Sequence, residues 1–152
     1  MSEPVIDDAA AGSWRIRPFA VADTEPVVAL WRAAGLVVPW NDPYVDIQRK
    51  LTVQPELFLV GESHGVLVAT AMVGYDGHRG WVNYLAVDGS RRGEGLGGRL
   101  MAEAERLLAE RGCAKLNLQV RSTNEGVIAF YRSLGYRVDE VTSLGKRLIP
   151  DA

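Results

Sequence analysis

The chain of 152 residues has one cysteine, no long apolar run and no acidic residue between Trp81 and Val87. The single thiol, Cys113, cannot close an internal disulfide and offers no metal-ligand cluster, so a reducing, cytoplasmic setting without a metal is expected. Without about 18 consecutive apolar residues there is no helix to place across a membrane. Residues 1–13 lack the basic start and apolar stretch of a secretory signal, and are expected to form a disordered tail ahead of one domain over 14–152. Charge of a dominant sign is also missing. Seventeen Lys and Arg against nineteen Asp and Glu leave a net charge of −2, with no general pull towards nucleic acid or an anionic membrane. What remains, 47% apolar and 24% charged residues, suits one soluble core.

Alternation in Trp14–Pro18 predicts a first strand. Asp23, with Pro26 behind it, reads as the cap of a helix to about Ala34, and Asp42-Pro43 opens a second helix to about Leu51. Leu57–Glu62 and Val66–Tyr75 read as strands joined through Ser63-His64-Gly65, and Trp81–Val87 as the next strand. Apolar residues at helical spacing then predict a helix over Leu96–Arg111, stopped by Gly112. A strand at Leu116–Val120, a helix over Asn124–Leu134 and two closing strands, Tyr136–Val141 and Leu144–Ile149, complete the chain. The expected fold is α/β: a mixed sheet in the order β-α-α-β-β-β-α-β-α-β-β, with helices on its faces.

The segment from Val87 to Gly98 carries the most chemistry. A strand ends, Arg91 and Arg92 follow, and four glycines (Gly93, Gly95, Gly97 and Gly98) lead into a helix. Glycine lets backbone N–H groups approach a ligand closely, and the first N–H groups of a helix lack internal partners. With the helix dipole, that makes a site for phosphate. Gly93, Gly95 and Gly98 also match the dinucleotide pattern G-x-G-x-x-G, so an NADP-binding protein is a rival reading. Against it, the motif follows apparently antiparallel strands, and only about fifty residues remain after it. Further on, Asn124 can cap a helix on which Tyr131 lies seven residues later, on the same face.

These segments resemble the GNAT superfamily, the Gcn5-related N-acetyltransferases. Arg92-x-x-Gly95-x-Gly97 is similar to the family's Q/R-x-x-G-x-G/A loop, and Asn124…Ala129…Tyr131…Leu134-Gly135-Tyr136 to its following segment. Pro39–Pro43, Gly74–Gly80 and Ser143–Leu148 look like a bacterial subgroup of the same superfamily. The resemblance covers about residues 14–149. It implies a mostly antiparallel sheet that splays between its fourth and fifth strands, and an acyltransferase that moves acetyl from acetyl-CoA to a primary amine of a small molecule, peptide N-terminus or lysine. The implied partners are acetyl-CoA and that amine, with self-association as a homodimer left open. A non-catalytic acyl-CoA-binding module is the alternative.

By the same resemblance, the N–H groups of Arg92, Gly93, Glu94, Gly95, Leu96, Gly97 and Gly98 cradle the pyrophosphate. Leu85, Ala86 and Val87 offer backbone groups to the pantetheine arm, and Asn124 hydrogen-bonds it. Tyr131 protonates the departing thiolate. Trp40, Asn41, Asp42 and Tyr84 wall the acceptor site. Members with a glutamate on the fourth strand differ from this chain, which has Asn83 and Tyr84 there. Asp76 and His78, in the preceding turn, are the candidates for the missing base, although turn capping and simple exposure explain them as well.

Overall fold

A computed structural model describes residues 6–8 and 14–151. Their strands are β1 (Ile6–Asp8), β2 (Trp14–Pro18), β3 (Phe58–Ser63), β4 (Val66–Tyr75), β5 (Gly80–Val87) and β6 (Leu116–Asn117). The helices are α1 (Thr24–Ala33), α2 (Pro43–Lys50), α3 (Leu96–Glu110) and α4 (Glu125–Ser133). The six strands form one sheet in sequence order. Neighbours are antiparallel from β1 to β5, and β5 and β6 are parallel. The expected mixed α/β class is therefore observed.

The pleat divides the core. On β3, Leu59 faces one cluster, with Ile16, Val73, Val82 and Leu100, Ala104 and Leu108 of α3. Its neighbours Phe58 and Val60 face the other, with Val27 and Trp31 of α1 and Ile47 of α2. Alternation places successive side chains on opposite faces, so α3 covers one side and α1 with α2 the other. The β2–β3 contact is close: a Cβ on Gly61 would stand 2.1 Å from Cη2 of the buried Trp14.

Local signals account for most boundaries. His64 and Gly65 form the two-residue turn between β3 and β4, both with positive φ. Asp42 caps α2 by accepting from the Tyr44 N–H at 2.9 Å. Asp23 precedes α1 as expected, but its carboxylate makes no cap bond. It instead takes a bidentate pair from Arg17, at 2.7 and 2.9 Å, with the Ala20 N–H at 2.8 Å. Helices α1, α3 and α4 each end with an N–H reaching back five residues: Leu36 to Trp31, Cys113 to Leu108 and Tyr136 to Tyr131.

Three expectations need correction. Ile6–Asp8, within the segment read as a tail, pairs with β2; residues 1–5 and 9–13 lie outside the described residues. The strand expected over Leu116–Val120 pairs only at Leu116 and Asn117. The closing strands Tyr136–Val141 and Leu144–Ile149 form no ladder among the described residues. Alternation stabilises a strand only when one face is buried. Here Val138, Val141, Leu144 and Leu148 are 65%, 79%, 90% and 84% exposed. Beyond the Tyr136 N–H on Tyr131, side chains tie this segment down, among them Lys115–Asp139 and Gln119–Ser143 at one end and Arg147–Asn41 and Asp151–Arg49 at the other.

The Gly61 contact is testable. Gly61→Ala forces its methyl into the Trp14 ring, and overpacking of that kind costs about 1–3 kcal/mol, to be read as a lower midpoint in urea.

Candidate active site

The sheet opens beside β5. Strands β5 and β6 pair only at Gly80–Leu116 and Trp81–Asn117, with the Gly80 N–H also donating to the Lys115 carbonyl at 2.9 Å. From Val82 to Val87 that edge of β5 has no partner strand. The expected splay lies here. Its free edge includes Leu85, Ala86 and Val87, and β5 then runs into the glycine loop.

Asp88 shapes the start of this loop by accepting from both the N–H and hydroxyl of Ser90, at 2.9 Å each. Those bonds hold its carboxyl below the usual carboxylate range. Arg91 turns aside towards Ser63 and Glu94, while Arg92, Gly93 and Glu94 are exposed. Gly95 precedes α3 in the left-handed region, φ +76, and provides no side-chain cap. The N–H groups of Leu96, Gly97 and Gly98 therefore begin the helix uncapped, where an anion is favoured. A Cβ on Gly97 would come within 3.1 Å of Phe130, so α3 and α4 approach closely at this point.

Asn124 caps α4, its Oδ1 accepting from the Val127 N–H at 3.2 Å. Tyr131 lies in the core, 8% exposed, edge-on to Phe130 and Tyr136 at centroid distances of 5.1 and 5.7 Å. Burial alone pushes its phenol up to about 12.

On the α1–α2 side of β5 the ladder is irregular. Thr70 opposes Ala86 and Met72 opposes Asn83, so Tyr84 and Leu85 together face Ala71. Tyr84 adopts φ +53, a conformation a bulky residue rarely takes. Three contacts hold it there. The Thr70 hydroxyl donates to the Tyr84 carbonyl at 2.8 Å, and Trp31 Nε1 donates to that hydroxyl at 2.9 Å. The Trp31 ring also stacks on the Tyr84 ring, centroids 3.8 Å apart. The Tyr84 hydroxyl donates to Asp46 Oδ2 at 2.6 Å, and burial and that carboxylate together raise the phenol far above its ordinary range.

Tyr84 lines a cavity of about 560 Å³ with Leu36, Asn41, Asp46, Arg49, Lys50, Val53, Met72 and Asn83. Of the residues expected to wall an acceptor site, Asn41 and Tyr84 are here. Trp40 is 60% exposed and outside this lining, and the Asp42 carboxylate caps α2. A smaller cavity of about 430 Å³ on α4 is lined by Glu125, Ile128, Ala129 and Arg132, none of them an expected site residue.

The turn with Asp76 and His78 sits at the opposite end of β5. Gly80 alone is five residues from Leu85, roughly 16 Å along a strand. Asp76 Oδ1 accepts from the N–H groups of His78 and Arg79 at 2.8 and 2.7 Å, and Oδ2 from Trp81 Nε1 at 3.3 Å. These donors hold its carboxyl below the usual range, which weakens it as a base. Both residues thus lie at the far end of β5 from the splay, and the Asp76 carboxylate is bound within the turn.

Lys50 had no sequence signal, and Asp46 was legible only as one of three carboxylates, with Asp42 and Asp76, able to attract a cationic amine. Strand β3 begins at Phe58, opposite Met72, so the end of β4 has no partner on that side. Lys50 Nζ donates to the Val73 carbonyl at 2.5 Å, and the Gln54 amide bonds both the N–H and carbonyl of Tyr75. Burial pulls the Lys50 ammonium from 10.5 down to about 8.

Comparison with known proteins places this arrangement. Residues 23–136 match the acetyltransferase (GNAT) family. The chain is 48% identical over 136 residues to the acetyltransferase YE1169 of Yersinia enterocolitica, covering 90% of this chain and 96% of that one. It is 49% identical over 137 residues to the acetyltransferase SG1711 of Sodalis glossinidius, with the same coverage. The chain belongs to the GNAT family of acetyltransferases. Among solved structures, Ard1 from Thermoplasma volcanium superposes with a TM-score of 0.72 at 26% identity, covering 83% of this chain and 84% of that one. AAC(6')-Iy in complex with a CoA-linked bisubstrate analogue shares the fold, with a TM-score of 0.73 at 18% identity, covering 88% and 98%. No helix among the described residues is long and apolar enough to cross a membrane.

The lysine gives a signed pH prediction. Its folded value is lowered, so between about pH 8 and 10.5 the unfolded chain binds the proton that the folded chain does not. Stability from this group therefore rises with pH across that window. Relative to Lys50→Met, the wild type should gain on the order of 1–3 kcal/mol between pH 7 and pH 10, measured by urea unfolding.

Proposed function

We propose that the chain transfers the acetyl group of acetyl-CoA to a primary amine of a small molecule, a peptide N-terminus or a lysine, by direct attack of the amine on the thioester. One observation carries the reading: the unpaired edge of β5 runs directly into the uncapped start of α3. An extended amide-bearing arm can add to that edge as a strand would, and its diphosphate then meets the N–H groups between Arg92 and Gly98. The bare turn fits such a group, since nothing lies within 4 Å of where a Gly95 side chain would begin.

Leu85, Ala86 and Val87 supply the backbone groups to the arm. An N–H beside the Tyr84 bulge meets the charge that develops on the thioester oxygen. Asn124 spends its Oδ1 on capping α4, which leaves its amide N–H groups as donors to the same arm. Tyr131 is the proton donor to the departing sulfur. Burial keeps its phenol protonated at neutral pH, but a value about 12 makes it a weak acid towards an alkyl thiolate. Donation becomes favourable where the apolar wall that raises the phenol also desolvates the sulfur anion. The cavity at Asn41, Asp46 and Tyr84 receives the amine.

Titration calorimetry with acetyl-CoA, CoA and NADPH tests the donor: the first two should bind and NADPH should not. Gly95→Ala introduces about 1–2 kcal/mol of left-handed strain, and its Cβ meets nothing within 4 Å, so the fold survives. Its affinity for acetyl-CoA should fall at least about tenfold through the disturbed turn, and an unchanged affinity removes the loop from the site.

Tyr131→Phe separates binding from chemistry. In a thiol-release assay over an amine and peptide panel its turnover should drop by about 10²-fold while acetyl-CoA affinity stays near the wild-type value. An unaltered rate assigns Tyr131 to packing alone.

A further inference from the structure

We infer that the acceptor's proton leaves through Tyr84 to Asp46, so that these two side chains, on β5 and α2, are the base that the strand itself lacks. The inference rests on the transferase reading and names the proton acceptor of that site. Tyr84 Oη lies 2.6 Å from Asp46 Oδ2, and both residues line the same cavity, with Asn83 beside the bulge. Because the hydroxyl hydrogen points to Asp46, the lone pairs of Oη are free to accept from an ammonium or from the nitrogen as it attacks. Tyr84 cannot drift from this position: Trp31 stacks on its ring and Thr70 holds its carbonyl. Backbone strain of the kind it carries collects at functional sites.

The step balances. A bond forms between the amine nitrogen and the carbonyl carbon, and the carbon–sulfur bond breaks with its electron pair going to sulfur. Before the attack the acceptor's ammonium gives one proton to Tyr84 Oη as Tyr84 passes its own to Asp46 Oδ2, and Asp46 later releases that proton to solvent. Sulfur takes a proton from Tyr131, and water carries the second proton, surplus on nitrogen after the attack, to the Tyr131 phenolate.

The neighbouring charges leave Asp46 available. Arg49 approaches its other oxygen at 3.3 Å and is drawn more closely, at 2.7 Å, to Asp151. Lys50 is the rival base, but its Nζ is committed to the Val73 carbonyl, level with Val82 rather than with the bulge.

Two probe nucleophiles test the assignment in the full chain: ethylamine, which must lose a proton to react, and hydroxylamine, which is already neutral at physiological pH. Thiol release from acetyl-CoA is measured for the wild type, Asp46→Asn and Tyr84→Phe, with calorimetry of acetyl-CoA on each protein. Tyr84→Phe keeps the ring on Trp31 and removes only the hydroxyl, so it remains informative if Asp46→Asn folds poorly. Each variant should lose about 10²-fold in kcat/KM with ethylamine and no more than about 3-fold with hydroxylamine, at unchanged acetyl-CoA affinity. Equal losses with the two nucleophiles, or none with ethylamine, overturn the assignment. A wild type that binds acetyl-CoA yet releases no thiol with either amine defeats the transferase reading and this assignment with it.

Discussion

Two residue pairs hold β5 and β6 together, and the geometry of the site follows from where that pairing stops. The joint is tight because Gly80 has no side chain: a Cβ there would stand 2.7 Å from Leu108 and 3.0 Å from the Cys113 sulfur. Cys113 thus acts as a packed side chain rather than a nucleophile. Parallel strands need a crossover connection, and α3 provides it, starting at the open end of the splay and ending at the closed one. The turn into α3 must therefore lie beside the unpaired edge of β5. Backbone N–H groups from a strand edge and from a helix start are brought together by topology, before any side chain is chosen.

The bulge at Tyr84 is the second constraint. A bulky residue in the left-handed region costs of order 1–3 kcal/mol. The offset is visible in the same place. Two hydrogen bonds, Thr70 to the Tyr84 carbonyl and Trp31 to Thr70, contribute about 1 kcal/mol each, and the Trp31–Tyr84 stack another 0.5–1.5 kcal/mol. The distortion of β5 is thus held by α1 and β4, which are themselves buried in the core. That is how a strained backbone can remain rigid next to a cavity.

These two constraints differ in how far the sequence discloses them. Backbone sites were legible because they rest on local rules. The run from Val87 to Gly98 is a strand end, a glycine turn and a helix start, and Asp42 and Asn124 sit one residue before their helices and cap them. The bulge was not legible, since Trp81–Val87 alternates like any strand and nothing in it marks a positive φ at Tyr84. Asp46 and Lys50 acquire their roles only when α2 docks over the end of β4. Asp76 and His78 were attractive as residue types, yet register puts them at the wrong end of β5. The alternating runs after Gly135 predicted strands because pattern alone cannot tell whether a face will be covered.

The proposed site is therefore built from two materials, a donor side and an acceptor side. The donor side is backbone: N–H groups of α3 and the edge of β5, which survive most side-chain changes provided the turn keeps its glycines. The acceptor side is made of side chains, with Asp46, Arg49 and Lys50 from α2 meeting Asn83 and Tyr84 from β5. Strand β5 is the partition between them, and the bulge is where one side reaches the other. On the proposed reading, changes along α2 alter which amine is received and leave the glycine turn untouched, because α2 packs against α1 and the far face of the sheet rather than against α3. Lys50 limits that freedom. The same residue that lines the cavity also satisfies the Val73 carbonyl where β3 is absent, so a change there alters the sheet as well as the pocket.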